Sequence, residues 1–338
     1  MYWSFELYFI CIKLIFKKMD SKLQSFLERT ADAWQVSVDE AQVLLSLRHP
    51  KAVRINLLKA KKTTLKDIKA LGVEFAPISW CKDAYIVSSG YEKLSKSDLF
   101  ISGAFILQDP ASFVPVLALD PRAGEYVLDI CAAPGGKTTH IAALSKNRAH
   151  ITANDTSRTR FFKMRDLFTT YGVQADTVLY DGRFLRKHLG TQQYDKILLD
   201  APCSGEAAIN PANPKSYEQW STSKVKRLSR LQEQLIMIAY DLLKPNGTLV
   251  YSTCTIAPEE NELVIDYLLK RRGAQIAQID TPIEGARQGL TSWHGKALNP
   301  QLAKTYRILP TTSHEAFYTA KITKPAGDIA DDADVYYA

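Results

Sequence analysis

The sequence predicts an α/β protein in which a Rossmann-like domain follows a smaller N-terminal α+β domain. From about residue 100 onward, short apolar runs alternate with amphipathic segments. This alternation is typical of right-handed βαβ units on a parallel sheet. The preceding part mixes short helices and strands. A chain of 338 residues with 46% hydrophobic side chains is long enough to bury two cores.

The N-terminal domain is predicted to span residues 19–98. Residues 20–34 place their apolar side chains on one face of a helix. Ser37 and Glu40 have the spacing of a capping box, which predicts that a second helix begins there. Strands at residues 53–56 and 84–87 and a helix at residues 65–71 complete this domain.

A run of basic side chains lies in the middle of this domain, where Asp67 is the only acid. The run consists of Arg48, Lys51, Arg54, Lys59, Lys61, Lys62, Lys66 and Lys69. Such a run is usually a solvated face, and it can also be a surface that contacts phosphates. The net charge of +7 permits a polyanionic partner, so both interpretations stay open at this point.

The larger domain is predicted to span residues 99–324. Its strands are expected at residues 126–130, 150–153, 177–180, 197–200 and 248–251, and its main helices at 137–144, 158–171 and 223–243. In a sheet of this kind, ligands bind beyond the carboxyl ends of the strands, where the strand order reverses. Functional residues are therefore expected directly after the strands.

The two ends of the chain are predicted to lie outside the fold. Residues 1–18 are strongly apolar, but Glu6 and Lys13 interrupt them and they are too short to span a membrane. We interpret them as an N-terminal extension, with translation starting natively at Met19; a weak membrane anchor is the alternative. Residues 325–338 are acidic and poor in core-forming side chains, which predicts a disordered tail.

Cysteine usage bears on metal binding and on the cellular compartment. The chain has five cysteines, and their spacing forms neither a CxxC pair nor a Cys/His cluster. A metal site is therefore not expected, and reduced thiols favour a cytoplasmic protein. We also expect a monomer without stable membrane association.

The segment DICAAPGGKT (residues 129–138) follows the first strand of the larger domain and opens a helix. Gly135 and Gly136 allow a ligand to approach the backbone closely. The Gly-Gly-Lys-Thr run is similar to the end of a P-loop, but that motif requires a glycine where Cys131 stands. A phosphate cradle is therefore not predicted.

Acidic side chains at three strand ends indicate the kind of nucleotide that this loop would bind. Asp155 comes twenty positions after Gly135 (155 − 135), where an acid accepts hydrogen bonds from ribose hydroxyls. Asp181 follows the next strand, where an acid can accept from an adenine amino group. With Asp129, these acids favour S-adenosylmethionine, which carries a sulfonium, over NAD. The alternative for each aspartate is a helix cap.

Two cysteines follow later strands of the same sheet. Cys203 lies in DAPCSG (residues 200–205) and Cys254 lies in YSTCT (residues 251–255), each after an apolar run. Two thiols at the ligand-binding edge of a parallel sheet indicate covalent chemistry. The alternative for any cysteine is a small buried hydrophobic residue, which is our interpretation of the Cys131 side chain.

These motifs together resemble a known family. DICAAPGGKT, DAPCSG, YSTCT and PEEN (residues 258–261) are similar to motifs of the Nol/Nop/Sun family of RNA cytosine-5 methyltransferases, bacterial RsmB/RsmF-like. The resemblance runs in the family's order from about Asn56 to Lys321 and includes QDPAS at residues 108–112 and RILP at residues 307–310. It implies an S-adenosylmethionine-dependent methyltransferase domain preceded by an RNA-binding domain.

The resemblance also implies which residues bind the cofactor. They are Cys131, Ala132, Ala133, Pro134, Gly135, Gly136, Lys137, Asp155, Arg160, Asp181 and Asp200. The implied partner is RNA, either rRNA or tRNA. The basic run of the N-terminal domain would help to position that RNA, which agrees with the phosphate-contacting interpretation.

The expected chemistry is covalent. C5 of cytosine is too poor a nucleophile to take a methyl group directly, and a thiolate that adds to C6 activates it. DNA cytosine-5 methyltransferases use the cysteine of a Pro-Cys motif, which would nominate Cys203, whereas the RNA family uses the Thr-Cys cysteine, Cys254. The surrounding motifs match the RNA family, so Cys254 is the expected nucleophile and Cys203 helps release. Asp200 is expected to donate to or protonate N3 of the cytosine, a role that needs a raised pKa, and Lys137 is expected to orient Asp200 or the cofactor carboxylate.

One segment departs from the family pattern. After Glu206 the family commonly continues with glycine and soon a basic residue, whereas this chain has AAIN at residues 207–210. The loop is expected to border the target nucleotide, so the departure bears on the choice of RNA. Tyr217 and Trp220 are candidates for stacking on a flipped base, or for ordinary core packing.

Two other functions remain as alternatives. The chain could be a methyltransferase that acts on DNA or on a protein. It could also be a non-catalytic RNA-binding scaffold that binds S-adenosylmethionine, although Asp200, Cys203 and Cys254 are all in place.

Overall fold

The computed structural model describes residues 20–61 and 63–327. The predicted N-terminal extension lies outside these residues, as does the predicted tail from residue 328 onward. Within the described part, no helix combines the length and the apolar character needed to cross a membrane.

Two helices open the described chain, α1 (Ser21–Trp34) and α2 (Val38–Leu45). The predicted capping box begins α2: the Ser37 hydroxyl accepts from the backbone N–H of Glu40, and the Glu40 carboxylate accepts from that of Ser37. The apolar face of α1 packs against the larger domain, where the rings of Phe26 and Trp220 lie 5.2 Å apart.

A four-stranded antiparallel sheet forms the rest of the N-terminal region, in the spatial order β2-β3-β1-β4. Its elements are β1 (Ala52–Ile55), α3 (Thr64–Ala70), β2 (Glu74–Ile78), β3 (Cys81–Ser89), α4 (Tyr91–Ser95), α5 (Asp98–Ile101) and β4 (Phe105–Gln108). The fourth strand lies past residue 98, so the sheet extends beyond the predicted domain boundary. Neither β2 nor β4 was predicted: β2 contains a proline and is mostly exposed, and β4 is a short run without alternation.

Five parallel strands form the centre of the larger sheet, in the spatial order β7-β6-β5-β8-β9. They are β5 (Tyr126–Asp129), β6 (His150–Asn154), β7 (Asp176–Val178), β8 (Tyr194–Asp200) and β9 (Leu243–Thr253). The helices of this domain are α6 (Val114–Leu119), α7 (Gly136–Ser145), α8 (Arg158–Tyr171), α9 (Leu185–Leu189), α10 (Pro214–Tyr217), α11 (Thr222–Leu242) and α12 (Glu262–Leu269). The chain reverses direction across the sheet between β5 and β8, which creates the crevice where such folds bind ligands. The Rossmann-like prediction is confirmed.

An antiparallel extension, in which no strand was predicted, continues the sheet beyond β9. It contains β10 (Gln275–Ala277), β11 (Ala286–Gln288), β14 (Tyr306–Ile308) and β15 (Phe317–Thr323), with a separate hairpin of β12 (Ser292–Trp293) and β13 (Lys296–Ala297). Strand β15 pairs directly with β9. The extension therefore covers one side of the crevice that follows β8 and β9.

A buried ion pair joins this extension to the helix after β9. The Arg307 Nε donates to Glu262 at 3.0 Å, and the Arg307 Nη1 donates to the carbonyl of Ile256 at 2.6 Å. Both side chains are almost fully buried. Removing one partner of such a pair leaves an uncompensated buried charge.

We therefore expect Arg307→Ala to lower the free energy of unfolding by about 3–5 kcal/mol, measured by urea denaturation. Arg122→Ala is the matched control, because Arg122 pairs with Asp120 at an exposed site. That change should cost less than about 1 kcal/mol. A similar loss in the two variants would contradict the assignment of a stabilising buried pair.

Candidate active site

The parallel strands bring the predicted site residues to one edge of the sheet. Asp129 and Asp200 end β5 and β8, and Asp155, Asp181 and Cys254 follow close behind β6, β7 and β9. Neighbouring strands are in register at this edge, where Asp200 lies beside Ser252 of β9. The structure thus assembles residues that are separated by up to 125 positions in the chain (254 − 129).

The loop between β5 and α7 (residues 130–135) is compressed between neighbouring elements. Gly135 has φ of +108°, and a Cβ there would lie 2.9 Å from the ring of Phe168 on α8. A Cβ on Gly136 would lie 3.2 Å from the side-chain nitrogen of Gln108 at the end of β4. Only glycine fits at Gly135 without strain, because the loop packs closely against α8 there.

A cavity of about 260 Å³ lies between this loop, β4 and α8. Its lining includes Gln108, Asp129, Lys137, Tyr171 and Asp200. The Oδ1 of Asp129 and the Oε1 of Gln108 are buried and have no hydrogen-bond partner among the described residues. Burial raises the pKa of Asp129 to about 7. Two buried acceptors without donors indicate that this cavity is built for a ligand that carries hydrogen-bond donors.

The acids beyond β6 and β7 have different surroundings. Asp155 is buried and accepts from the backbone N–H groups of Ala133 at 3.2 Å and Ser157 at 2.8 Å. Arg160 approaches Asp155 at 3.7 Å and donates to the carbonyl of Ala133. Asp181 instead pairs with Arg183 at 2.6 Å, and hydrogen bonds from Arg183 lower its pKa. These acceptors beside the loop after β5 fit S-adenosylmethionine, which offers ribose hydroxyls and amino groups as donors.

The two thiols lie in hydrogen-bond contact, with the Sγ atoms of Cys203 and Cys254 3.3 Å apart. The hydrogen bond from Cys203 lowers the pKa of Cys254, and the nearby Lys137 lowers it further against the effect of burial. The same hydrogen bond and burial raise the pKa of Cys203 well above its usual value. The contact between the thiols therefore favours the thiolate form at Cys254 over the thiolate form at Cys203.

An ion pair lies between the thiols and the loop after β5. Lys137 Nζ contacts Asp200 at 2.7 Å, and the Ser252 hydroxyl donates to the other oxygen of Asp200 at 2.8 Å. The ammonium also lies 5.2 Å from the centre of the Phe317 ring. Burial opposes the charged form of Lys137, but Asp200 outweighs it and raises the lysine pKa. Within this pair, Lys137 is the group that carries a proton.

Several functional contacts were not predicted. Gln108 and Tyr171 line the cavity, and Glu206 and Glu260 bind the backbone beside the thiols. Gln108 lies in the QDPAS motif, which belongs to the family resemblance but was assigned no role in the site. The two glutamates flank the cysteine motifs, but a sequence does not show which backbone groups a buried acid will bind.

Two predicted stacking candidates have a structural role instead. Tyr217 and Trp220 are buried in the core that α1 shares with the larger domain. The Trp220 Nε1 donates to Glu206 at 2.8 Å. The core-packing alternative is therefore correct for both, because neither ring face is open to a base.

Most of the basic run of the N-terminal region is exposed, but Arg54 is buried and Lys51 is half-buried, and Lys62 lies outside the described residues. Arg48, Lys59, Lys66 and Lys69 are exposed. Arg54 is buried, donates to Thr139 at 2.7 Å and has its pKa lowered to about 10 by burial. Arg54 therefore does not belong to a phosphate-contacting surface. Within residues 20–61 and 63–327, no group of three or more metal-ligating side chains lies together.

Comparison with known proteins gives the family. The family described as "16S rRNA methyltransferase RsmB/F" matches residues 116–323, which is more than half of the chain. The chain belongs to this family. Residues 23–110 also match the "N-terminal domain of 16S rRNA methyltransferase RsmF".

Individual relatives support this RsmB/F membership. The tRNA (cytosine(49)-C(5))-methyltransferase of Pyrococcus abyssi is 38% identical over 92% of this chain and 98% of that protein. The ribosomal RNA small subunit methyltransferase F of Cronobacter sakazakii is 31% identical over 90% of this chain and 63% of that protein. A crystal structure of a methyltransferase homologue from Pyrococcus horikoshii has a TM-score of 0.75 and 28% identity, and covers 90% of this chain and 100% of that one.

Membership of the RsmB/F family confirms four predictions. The resemblance drawn from the motifs is correct, and the fold is that of the S-adenosylmethionine-dependent methyltransferases. S-adenosylmethionine is the cofactor, and the enzyme class is RNA (cytosine-5) methyltransferase.

Proposed function

We propose that this enzyme forms 5-methylcytosine in rRNA or tRNA through a covalent bond between Cys254 and C6 of the target cytosine. The observation that carries the proposal is the thiol pair. Its sulfurs lie 3.3 Å apart, and their contact lowers the pKa of Cys254 while it raises the pKa of Cys203. This arrangement makes Cys254 a ready nucleophile next to the Lys137–Asp200 ion pair.

The first step is attack by the Cys254 thiolate on C6, which forms the C6–S bond and makes C5 electron-rich. Lys137 and Asp200 receive the polar edge of the base: the ammonium donates toward N3, and the carboxylate accepts from the exocyclic amino group. Asp200 thus acts on the N3 side through its ion pair with Lys137. Bound S-adenosylmethionine supplies the methyl group that C5 takes.

Release follows when a water molecule takes the C5 proton as the base. The C5–H electron pair re-forms the C5–C6 double bond, and the C6–S bond breaks with its electron pair returning to Cys254. Cys203 assists this step because its thiol donates a hydrogen bond to the departing sulfur. The interaction that lowers the pKa of Cys254 before attack therefore also stabilises it as a leaving group.

The cofactor site is proposed to be the loop after β5 with the acids that follow β6 and β7. Its residues are Cys131, Ala132, Ala133, Pro134, Gly135, Gly136, Lys137, Asp155, Arg160, Asp181 and Asp200. Cys131 contributes its backbone, since burial raises the pKa of its thiol well above the usual value. Asp181 must exchange its contact with Arg183 for one with the ligand.

Replacing Asp155 with asparagine should weaken binding of S-adenosylhomocysteine by about 10- to 100-fold, because a charged acceptor for ribose hydroxyls is lost. Isothermal titration calorimetry measures this directly. Asp195→Asn is the control, since Asp195 lies near the opposite end of β8 and pairs with Lys244. Unchanged affinity in Asp155→Asn would remove this residue from the proposed site.

The RNA is proposed to approach from the exposed basic face of the N-terminal region, in a cytoplasmic enzyme whose described cysteines are free thiols. The target cytosine must leave its stack so that its C6 can approach Cys254, whose side chain is exposed at the edge of the sheet. The relatives include both tRNA and rRNA enzymes, so both classes of RNA must be tested as substrates.

Bisulfite sequencing of rRNA and tRNA from cells with and without this protein tests the proposal. A cytosine that is protected only in the presence of the protein is the expected result, and its position names the substrate. Transfer of labelled methyl groups only to DNA or to protein would contradict the proposal. Cofactor binding without any transfer would favour the non-catalytic scaffold.

A further inference from the structure

Two buried glutamates cross between the loops that carry the thiols. We call these loops the first cysteine loop (residues 201–206) and the second cysteine loop (residues 254–257). Glu206 ends the first loop, and Glu260 follows the second. The exposed fractions of Glu206 and Glu260 are 3% and 0%.

Glu206 reaches from the first cysteine loop to the second. Its Oε2 accepts from the backbone N–H groups of Ile256 at 3.1 Å and Ala257 at 2.8 Å, and from the Thr255 hydroxyl at 2.9 Å. Its Oε1 accepts from the indole of Trp220 at 2.8 Å. The backbone directly after the nucleophile is therefore tied to a residue three positions after Cys203.

Glu260, which follows the second cysteine loop, reaches back to the first. Its Oε2 accepts from the backbone N–H of Ser204 at 2.9 Å and from the Gln232 side chain at 2.8 Å. Gln232 also donates to the carbonyl of Pro202 at 2.8 Å. Glu260 and Gln232 thus hold the backbone on both sides of Cys203.

The free-energy cost of burying these two acids indicates that their hydrogen bonds serve more than stability. Burial, and to a lesser extent the nearby Glu206, raise the pKa of Glu260 to about 7. Two acids buried side by side are unfavourable unless their hydrogen bonds are nearly complete. Neutral side chains could connect the two loops with a smaller desolvation cost. The carboxylates instead accept several backbone and side-chain donors at once, which neutral groups of this size cannot do.

We propose that Glu206 and Glu260 are positioning residues that hold the thiols of Cys203 and Cys254 in contact, and so control the release of methylated RNA. The inference rests on the proposed function, because it requires Cys254 as the nucleophile and Cys203 as its hydrogen-bond donor. When the loops separate by about 1 Å, the sulfur–sulfur hydrogen bond is lost. The departing Cys254 thiolate then has no donor.

The test compares Glu260→Ala with Glu260→Gln in the full chain. Turnover and the fraction of enzyme trapped on RNA, seen on a denaturing gel, are measured with cofactor present and corrected for folded protein. Glu260→Ala should lower turnover by about 10- to 100-fold while the trapped fraction rises. Glu260→Gln should recover most of the turnover, because its amide oxygen still accepts from Ser204. Asp266→Ala is the control, as this buried acid binds Asn299 and Lys270 instead.

A parallel Cys203→Ala sample separates failure of the inference from failure of the proposed function. If Cys203→Ala traps RNA and Glu260→Ala does not, the positioning role is wrong and the proposed function stands. If turnover and trapped adduct fall together in Glu260→Ala, the residue is only structural and the inference is overturned. If Cys203→Ala does not trap RNA, the proposed function fails and the inference fails with it.

Discussion

Replacing Cys254 with alanine is expected to abolish the covalent RNA adduct and to lower methyl transfer by about 10⁴-fold or more. Cys254 is the thiol whose pKa is lowered, first by the hydrogen bond from Cys203 and also by Lys137. The variant removes the largest cause of the raised pKa of Cys203, its contact with Cys254, but burial still disfavours the Cys203 thiolate and makes it a poor replacement nucleophile. Methyl incorporation into transcripts and a denaturing gel for the adduct measure the two effects.

Cys81→Ala is the matched control for this variant. Cys81 is a buried thiol of the N-terminal sheet, and burial raises its pKa to about 11. Its removal should leave adduct formation and methyl transfer near the values of the parent enzyme. If Cys254→Ala still formed the adduct and Cys203→Ala did not, the roles of the two thiols would be reversed.

Replacing Cys203 with alanine should have the opposite effect on the covalent adduct. The adduct should accumulate, because methylated RNA stays attached to the enzyme. The variant removes the hydrogen bond that stabilises the departing Cys254 thiolate, so breakdown of the C6–S bond should slow by about 100-fold or more. The same loss raises the pKa of Cys254. Adduct formation should therefore shift to higher pH, because the thiolate becomes populated only as the pH rises.

The gel assay of the Cys203→Ala variant, repeated over a pH series, measures both effects. The double variant Cys203→Ala/Cys254→Ala is the control and should form no adduct at any pH. A Cys203→Ala enzyme that released RNA at the parent rate would show that Cys203 has no role in release. An unchanged pH profile would show that Cys203 does not set the pKa of Cys254.

Local patterns were sufficient for much of the fold. Helix α8 was predicted with its observed ends, because Ser157 caps its start and Gly172 ends it in the left-handed conformation. The parallel strands were visible as apolar runs, since a sheet that is buried on both faces needs them. Strand β2 was missed because it is mostly exposed, and β4 because it is short. In the antiparallel extension, β10, β11 and β14 have only three residues each, whereas β15 is longer and mostly buried.

The candidate site was predictable as a set of residues, and its geometry was not. Motif order nominated Cys203, Cys254, Asp200 and the loop after β5. Sequence patterns could not show that the two sulfurs lie 3.3 Å apart or that their contact shifts the two pKa values in opposite directions. They also placed Arg54 on a basic surface, although its guanidinium is buried against α7. Spacing identifies a strand end, but the environment there depends on distant segments.

The sequence by itself determined the family, the cofactor and the reaction, because these depend on motifs of a few neighbouring residues at strand ends. Only the tertiary structure decided how the two cysteines differ. Their pKa values depend on Lys137, on burial and on each other, and these come from different strands. Glu206 and Glu260 in turn connect the two loops that carry the thiols. The motifs that form the site are thus local in the sequence, whereas the pKa values of its two thiols depend on the folded chain.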